Sequence, residues 1–361
     1  MRKVLGYIFY GLVLLSCIGA MVGELWVTGR VDDIVEAVRR RFERIIEVTM
    51  EEVVIGAEWS AEVLIVGDVM AHMPQVDAAR EGADTYHFTP HFELITPLFT
   101  EADYVVANLE TTLSPRPPYS GYPSFATPDE LARDLAAVGI DAVTLANNHI
   151  ADRGVEGVLG TIAALDNAGI AHLGASVSNP RTGRQEGTMM VDIEGLRVAF
   201  VACTDVLNKS PEEELCVPRL DTVALRKTIE SVRPRADVVV ALVHWGVEYH
   251  TQPSRRQVAM AEWMRSAGVD VVVGSHPHVV QPWEVWRNAE GTPTGGVYYS
   301  LGNFISNQND LGTDYGLAAR LKLHRQGVGA PVDIELDAVN LRRLRYHNDG
   351  RVEYRVVAVG E

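Results

Sequence analysis

The spacing of apolar positions divides this chain into stretches of different character. Val4 to Gly23 contains no charged residue and is almost wholly apolar. At about 1.5 Å per residue, such a run crosses a hydrocarbon core of about 30 Å. From Val31 to Val54 the apolar residues Val31, Val35, Val38, Phe42 and Ile45 recur at steps of four and three, with Arg39, Arg40, Arg41 and Arg44 between them. That period predicts a helix, too short for a coiled coil and suited to a stalk or to packing on a neighbouring domain.

From Ala61 the pattern becomes short apolar runs that end in polar clusters. Val63 to Val66 leads to Gly67-Asp68, Tyr104 to Val106 to Ala107-Asn108-Leu109-Glu110, and Ala142 to Leu145 to Asn147-Asn148-His149. Val238 to Val243 leads to His244-Trp245-Gly246, and Val271 to Val273 to Gly274-Ser275-His276-Pro277-His278. Helical stretches at 129–138, 155–168 and 255–267 lie between these runs. Alternation of this kind predicts a largely parallel sheet with covered faces and a ligand site outside the carboxyl ends of its strands. Thr188 to Ala202 reads as a hairpin around Glu194-Gly195, and the strand-rich tail from Gly296 onward predicts a second sheet packed on the first. The expected fold is thus an α/β sandwich with layers of helix, sheet, sheet and helix.

Charge and cysteines narrow the function. The 361 residues carry 48 acidic and 32 basic side chains, a net charge of −16, which argues against nucleic acid as a partner. Arg2 and Lys3 precede the uncharged run, so the positive-inside rule places the N-terminus in the cytoplasm and the rest of the chain outside. An uncleaved signal-anchor is preferred over a cleaved signal peptide at Ser16-Cys17, because the apolar run continues through Val22. The expected division is 1–23 membrane anchor, 24–60 helical stalk and 61–361 ectodomain. Cys203 and Cys216 would lie in an oxidising compartment, where a disulfide or two buried thiols both fit.

Collected together, the strand ends offer Asp68, Asn108, Glu110, Asn148, His149, Asp152, His244, His276 and His278. Carboxylate, amide oxygen and imidazole suit one or two transition ions such as Mn, Zn or Fe. Two ions fit better than one, because a pair can hold both the attacking and the leaving oxygen of a phosphoester. His276 and His278, two apart in an extended segment, would point the same way. In Asn148-His149-x-x-Asp152 the carboxylate can orient the imidazole across one turn, or simply cap a helix. The Pro- and aromatic-rich stretch from Ser114 to Pro128 fits a substrate wall or a rigid surface connection. Glu248 could orient His244, and Asn303 could help hold the site or serve as a turn residue.

The motifs Gly67-Asp68-Val69-Met70, Ala107-Asn108-Leu109-Glu110, Asn147 to Gly154, His244 to Tyr249, Gly274 to Gln281 and Ser300-Leu301-Gly302-Asn303-Phe304 resemble the CapA family of capsule and poly-γ-glutamate synthesis proteins. That family is related to calcineurin-like metallophosphoesterases, and the resemblance spans about Val63 to Asn307. It implies a metallophosphoesterase-like fold, with Asp68 and His278 ligating a first metal and Asn148, His244 and His276 a second. It implies that His149, paired with Asp152, is catalytic; Arg153 is a site-lining candidate for local contact with a polyanion. The match departs at Met70, where the superfamily has a histidine; His72 is the nearest substitute. The usual bridging aspartate is absent too, and Glu110 is preferred to Asn108 in its place. The expected partners are the membrane, synthase subunits and an anionic polymer. A non-catalytic accessory subunit and an extracellular nucleotidase or general phosphatase remain as alternatives.

Overall fold

The computed structural model describes Arg39 and residues 57–177, 187–348 and 351–360. The predicted membrane anchor, and all of the predicted stalk apart from Arg39 and 57–60, lie outside the described residues. Among the described residues no helix is long and apolar enough to cross a membrane. Contacts divide the chain into a small unit, Met1–Glu58 with Gln326–Ala330, and a large one, Trp59–Arg325 with Pro331–Glu361. The large unit holds the site. The strand Glu58–Val69, in the large unit from Trp59 onward, begins three residues before the start expected at Ala61.

Two sheets organise the large unit. One runs in the order Arg351–Val359, Asp333–Asn348, Tyr315–Gln326, Glu58–Val69, Tyr104–Leu109, Ala142–Thr144 and Ala171–Leu173, with Asn303–Ile305 also paired to Glu58–Val69. The other runs Trp283–Arg287, Pro293–Tyr298, Val271–Ser275, Val238–His244, Leu196–Thr204 and Thr188–Ile193. The expected hairpin around Glu194-Gly195 is present, antiparallel and closed by left-handed residues at both positions.

Two sheets are present as expected, but their membership differs. Val238–His244 and Val271–Ser275, expected beside the first strands, form the centre of the other sheet. The tail strands from Asn303 onward instead extend the sheet that contains Glu58–Val69. An apolar run announces a strand but not its neighbour, because pairing is a long-range choice.

The strand alternation explains why these runs are apolar on both faces. Val63 and Ile65 join a cluster with Val106, Leu321, Phe200, Val240, Leu242 and Val273, drawn from both sheets. Leu64 and Val66, pointing the opposite way, pack with Leu131, Leu135, Val158 and Leu165 of the helices Glu130–Ala137 and Gly154–Ala168. On the far face of the other sheet, Val239, Ala241 and Val272 meet Leu225, Ile229, Met260 and Met264 of the helices Thr222–Val232 and Arg255–Ser266. Those two helices start where a side-chain cap is available. Asp221 accepts from the backbone of Val223 and Ala224, and Ser254 accepts from that of Gln257. The helix Gly154–Ala168 stops at Gly169, whose φ of 75° is free for glycine alone.

Gly67 sets the approach of the strands at the site. A Cβ there would lie 1.9 Å from the Gly302 carbonyl oxygen, so only glycine lets the backbone before Asp68 pass Gly302 this closely. Cys203 and Cys216 are not joined by a disulfide, and burial pushes the Cys203 thiol up to about 12.

Candidate metal centre

The polar ends of the strands converge on one buried cluster. Asp68 closes the strand Glu58–Val69 and is fully buried; its Oδ1 accepts from Asn108 Nδ2 at 2.8 Å, and its Oδ2 accepts from His278 Nδ1 at 2.9 Å. With Nδ1 donating to Asp68, His278 turns its Nε2 toward Glu110 Oε1 at 3.7 Å. Asp68 thus orients His278 as well as belonging to the cluster. Glu110, two residues past Asn108 and fully buried, also lies 3.7 Å from His244 Nε2.

His244 closes its strand with both ring nitrogens engaged. Its Nε2 contacts Asn148 Oδ1 at 2.8 Å, and its Nδ1 contacts Ser275 Oγ at 3.0 Å. Asn148 donates its amide to Asn208 Oδ1 at 3.2 Å, so its oxygen is the acceptor and His244 holds its proton on Nε2. His244 and Asn148 could hold an ion together once that shared proton has moved, as ligation requires a deprotonated nitrogen.

His276 and His278 follow the strand Val271–Ser275 but not as an extended pair. Their φ values are 99° and 60°, in the left-handed region that bulky residues seldom occupy. The two rings converge, with centroids 5.8 Å apart, because the turn bends rather than because the segment is straight. Non-glycine residues held in this region cluster at functional sites.

The donor set fits a metal. Glu110 Oε1 and His276 Nδ1 are buried and have no hydrogen-bond partner. Ligand atoms of Glu110, His276 and His278, and of Asp68, Glu110 and His244, lie within 4.8 Å of one another, and Glu110 belongs to both groups. Burial, and then the charge of Asp68, pushes the Glu110 carboxyl well above its ordinary range. Burial, and then the neighbouring imidazoles, pushes His244 well down and His276 down to about 4. A divalent cation would offset this crowding of carboxylates and uses imidazoles in the neutral form.

His149 and Asp152 form a separate pair beside the cluster. His149 Nδ1 lies 2.8 Å from Asp152 Oδ2, which also accepts from the Phe125 backbone N–H at 2.8 Å. Asp152 does not cap the following helix, whose N-cap is Arg153 with no side-chain bond. Phe125 stands edge-on to the His149 ring, 4.7 Å between centroids, so the loop from Ser114 to Pro128 does wall this pair.

Three remaining residues lie at the margin of the cluster. Arg153 is exposed and bonds Ser120 Oγ and the Phe125 carbonyl, tying the loop to the His149 segment. Glu248 is exposed, and the ring of His244 is instead held by Asn148, Ser275 and Asn108. His72 does not complete the cluster as an imidazole ligand, because its Nδ1 accepts from the Asn307 backbone N–H at 3.2 Å. Asn303 is brought to the site, paired in register with Asp68.

Other residues at the site carried no assignment from the sequence. Asn147 donates to Asn108 Oδ1 and the Leu109 carbonyl and accepts from the His149 backbone. Its place beside Asn148 was a signal, as was that of Ser275 beside His276. Asn208 and Lys209, which bonds the Asp152 carbonyl at 2.9 Å, come from a loop with no pattern to mark them.

Residues 62–308 match the bacterial capsule synthesis protein family PGA_cap. The PGA biosynthesis protein CapA of Bacillus subtilis is 30% identical over 74% of this chain and 70% of that protein. The capsule biosynthesis protein CapA of Bacillus anthracis is 30% identical over 68% of this chain and 59% of that protein. Among solved structures, a putative 5′-nucleotidase from Staphylococcus aureus superposes with a TM-score of 0.50 at 16% identity, covering 77% of this chain and 54% of that one. The fold is mixed α/β, like that of this neighbour. With two thirds of its length matched and its six motifs gathered at the strand ends, the chain belongs to the PGA_cap family of bacterial capsule synthesis proteins.

Proposed function

We propose that this protein is a metal-dependent hydrolase of phosphoesters acting in the synthesis or export of a capsule or poly-γ-glutamate polymer. The observation that carries the reading is Glu110 Oε1, buried without a partner between the nitrogens of His244 and His278, beside the His149–Asp152 pair. Asp68, Glu110, Asn148, His244, His276 and His278 would hold one or two ions of Mn, Zn or Fe. A bound ion supplies Lewis-acid charge to a phosphoryl oxygen and favours attack by water.

The chain's own residues supply the rest. His149, with Nδ1 fixed on Asp152, presents Nε2; in its protonated form it donates that proton to the departing oxygen and so neutralises the charge left when the ester bond breaks. Asp152 stabilises the imidazolium and fixes its orientation. Phe125 keeps water from one side of the ring. With a net charge of −16, contact with a polyanion is confined to local cations such as Lys209 and Arg153.

The wider architecture follows the same reading. The three apolar clusters support an order of helix, sheet, sheet and helix layers. The uncharged run from Val4 to Gly23, behind Arg2 and Lys3, supports an anchor at 1–23, a stalk at 24–60 and an ectodomain at 61–361 outside the bacterial cell membrane, beside synthase subunits. Met70, buried where the superfamily has a ligand, favours a second reading as a non-catalytic accessory subunit. A Mycobacterium tuberculosis relative, 26% identical, is named a probable polyglutamine synthesis accessory protein.

Full-length protein purified in detergent distinguishes these. Elemental analysis should find bound transition metal that the His276→Ala/His278→Ala variant lacks, and the loaded protein should hydrolyse bis(p-nitrophenyl) phosphate. His149→Ala should lose hydrolysis and keep its metal. Metal without hydrolysis of any phosphoester in the wild type would select the accessory reading.

A further inference from the structure

We propose that Asn303 is a metal ligand, supplying through Oδ1 the donor that the missing histidine at position 70 does not. The inference rests on the metal reading above and adds a residue to it.

Three strands set the geometry. Asp68 pairs in register with Asn303 on one side and with Asn108 on the other, both in parallel ladders. Both ladders shift register next to Asp68, yet Asp68 itself remains the partner of Asn303 and of Asn108, so the three residues lie side by side in a row across the strands. The row is tight: Asp68 N–H bonds the Gly302 carbonyl at 3.1 Å, beside the close passage of Gly67 and Gly302. Asn108 already serves Asp68 with its amide. Asn303 stands on the opposite flank.

The amide orientation of Asn303 is fixed by what surrounds it. Its Nδ2 donates to the Thr313 carbonyl at 3.1 Å, a group that can only accept, and to Gln308 Oε1 at 2.9 Å. Oδ1 is therefore the atom left over. It is buried, in a side chain 3% exposed, and has no hydrogen-bond partner. A buried amide oxygen without a donor is costly, by about 1–3 kcal/mol, so it is completed by a ligand, an ion or an ordered water. Amide oxygens are ordinary ligands of hard and borderline divalent ions.

His72 is the rival, and its hydrogen bonding removes it. Because Nδ1 accepts from the Asn307 N–H, a neutral His72 must carry its proton on Nε2. Neither nitrogen then has a lone pair to give, unless the Asn307 bond is broken. His72 is left as a hydrogen-bond donor next to Phe125, whose ring lies 5.2 Å from its own.

The test is calorimetric titration of Mn²⁺ into full-length chelator-stripped protein in detergent. Asn303→Ala should weaken Mn²⁺ binding by about 10–100-fold or abolish one binding event, whereas His72→Ala should bind within about twofold of wild type. Metal-free melting curves show whether each variant is folded. Where Asn303→Ala is not, Asn303→Asp replaces it: a carboxylate at this place should bind Mn²⁺ more tightly, and unchanged binding would overturn the assignment. Wild-type affinity in folded Asn303→Ala, or loss in His72→Ala instead, also overturns it. Absence of Mn²⁺ binding to the wild type would overturn this assignment together with the metal reading, while equal binding by wild type and variant overturns the assignment alone.

Discussion

Glu110→Gln separates a metal ligand from a structural carboxylate, because the two roles predict opposite signs. The replacement keeps the shape of the side chain and removes one negative charge. In the metal-free protein the new amide finds partners already in place. Its oxygen accepts from Asn108 Nδ2, which now donates to Glu110 Oε2 at 3.2 Å, and its NH₂ lies 3.7 Å from His278 Nε2, a small shift from a hydrogen bond. Metal-free Glu110→Gln should therefore melt no lower than metal-free wild type. With metal the order reverses. Both candidate ligand groups contain Glu110, so losing its charge should weaken binding by about 100-fold, the upper end of the effect of losing an orienting partner. At a metal concentration of about 100 times the wild-type dissociation constant, binding stabilises the wild type by about 2.7 kcal/mol and the variant by about 0.4 kcal/mol. For a domain of this class each kcal/mol moves Tm by about 2–4 °C, so the metal-induced rise should shrink from about 5–10 °C to about 1 °C. Differential scanning fluorimetry with and without Mn²⁺ reads both arms. An undiminished metal shift in Glu110→Gln, or a metal-free Tm several degrees below wild type, would refute the reasoning.

Three further outcomes follow from other parts of the molecule. Asp152→Asn should cut phosphodiester hydrolysis by about 10–100-fold at unchanged metal content, because a neutral amide can still accept from Phe125 N and His149 Nδ1 but no longer supplies the negative charge that stabilises the His149 imidazolium; steady-state kinetics with elemental analysis checks it. Gly67→Ala should lower stability by about 3 kcal/mol or more and weaken Mn²⁺ binding, since the added carbon sits 1.9 Å from the Gly302 oxygen and the backbone holding Asp68 must move; an unchanged thermal melt would contradict this. Burial pushes His91 down to about 4, so it is neutral in the folded protein while the unfolded chain takes up a proton below pH 6.5. Its contribution is complete above pH 6.5 and is lost as pH falls towards 4, about 3 kcal/mol in all. Urea unfolding at pH 7 and pH 4.5 should show a smaller loss for His91→Phe than for wild type.

The elements of this protein were legible because their signals are local. Val238 to Val243 and Val271 to Val273 read as strands, and 155–168 and 255–267 read as helices, close to the observed Val238–His244, Val271–Ser275, Gly154–Ala168 and Arg255–Ser266. The polar residues at the strand ends were legible for the same reason, since each follows its own apolar run. Strand direction brings Asp68 and Glu110 to one edge of their sheet and His244, His276 and His278 to one edge of the other, because parallel strands share their carboxyl ends; that the two edges meet is set by the packing of the sheets.

What each of those residues does at the edge was not local. The left-handed turns at His276 and His278, the loop that brings Asn208 to Asn148, and the Phe125 ring against His149 depend on segments far apart in the chain. The tail shows the limit most plainly: its strand-rich runs announced strands, but only closure of the whole domain assigned those from Asn303 onward to the sheet of Glu58–Val69 rather than to the other. Alternation along a strand reports which faces are buried, and both sheets bury theirs. The residues of this sequence determined its strands, its helices and the chemical types at the site. The tertiary structure decided which strands are neighbours, and through that decision left Asn303 Oδ1 and Glu110 Oε1 without hydrogen-bond partners.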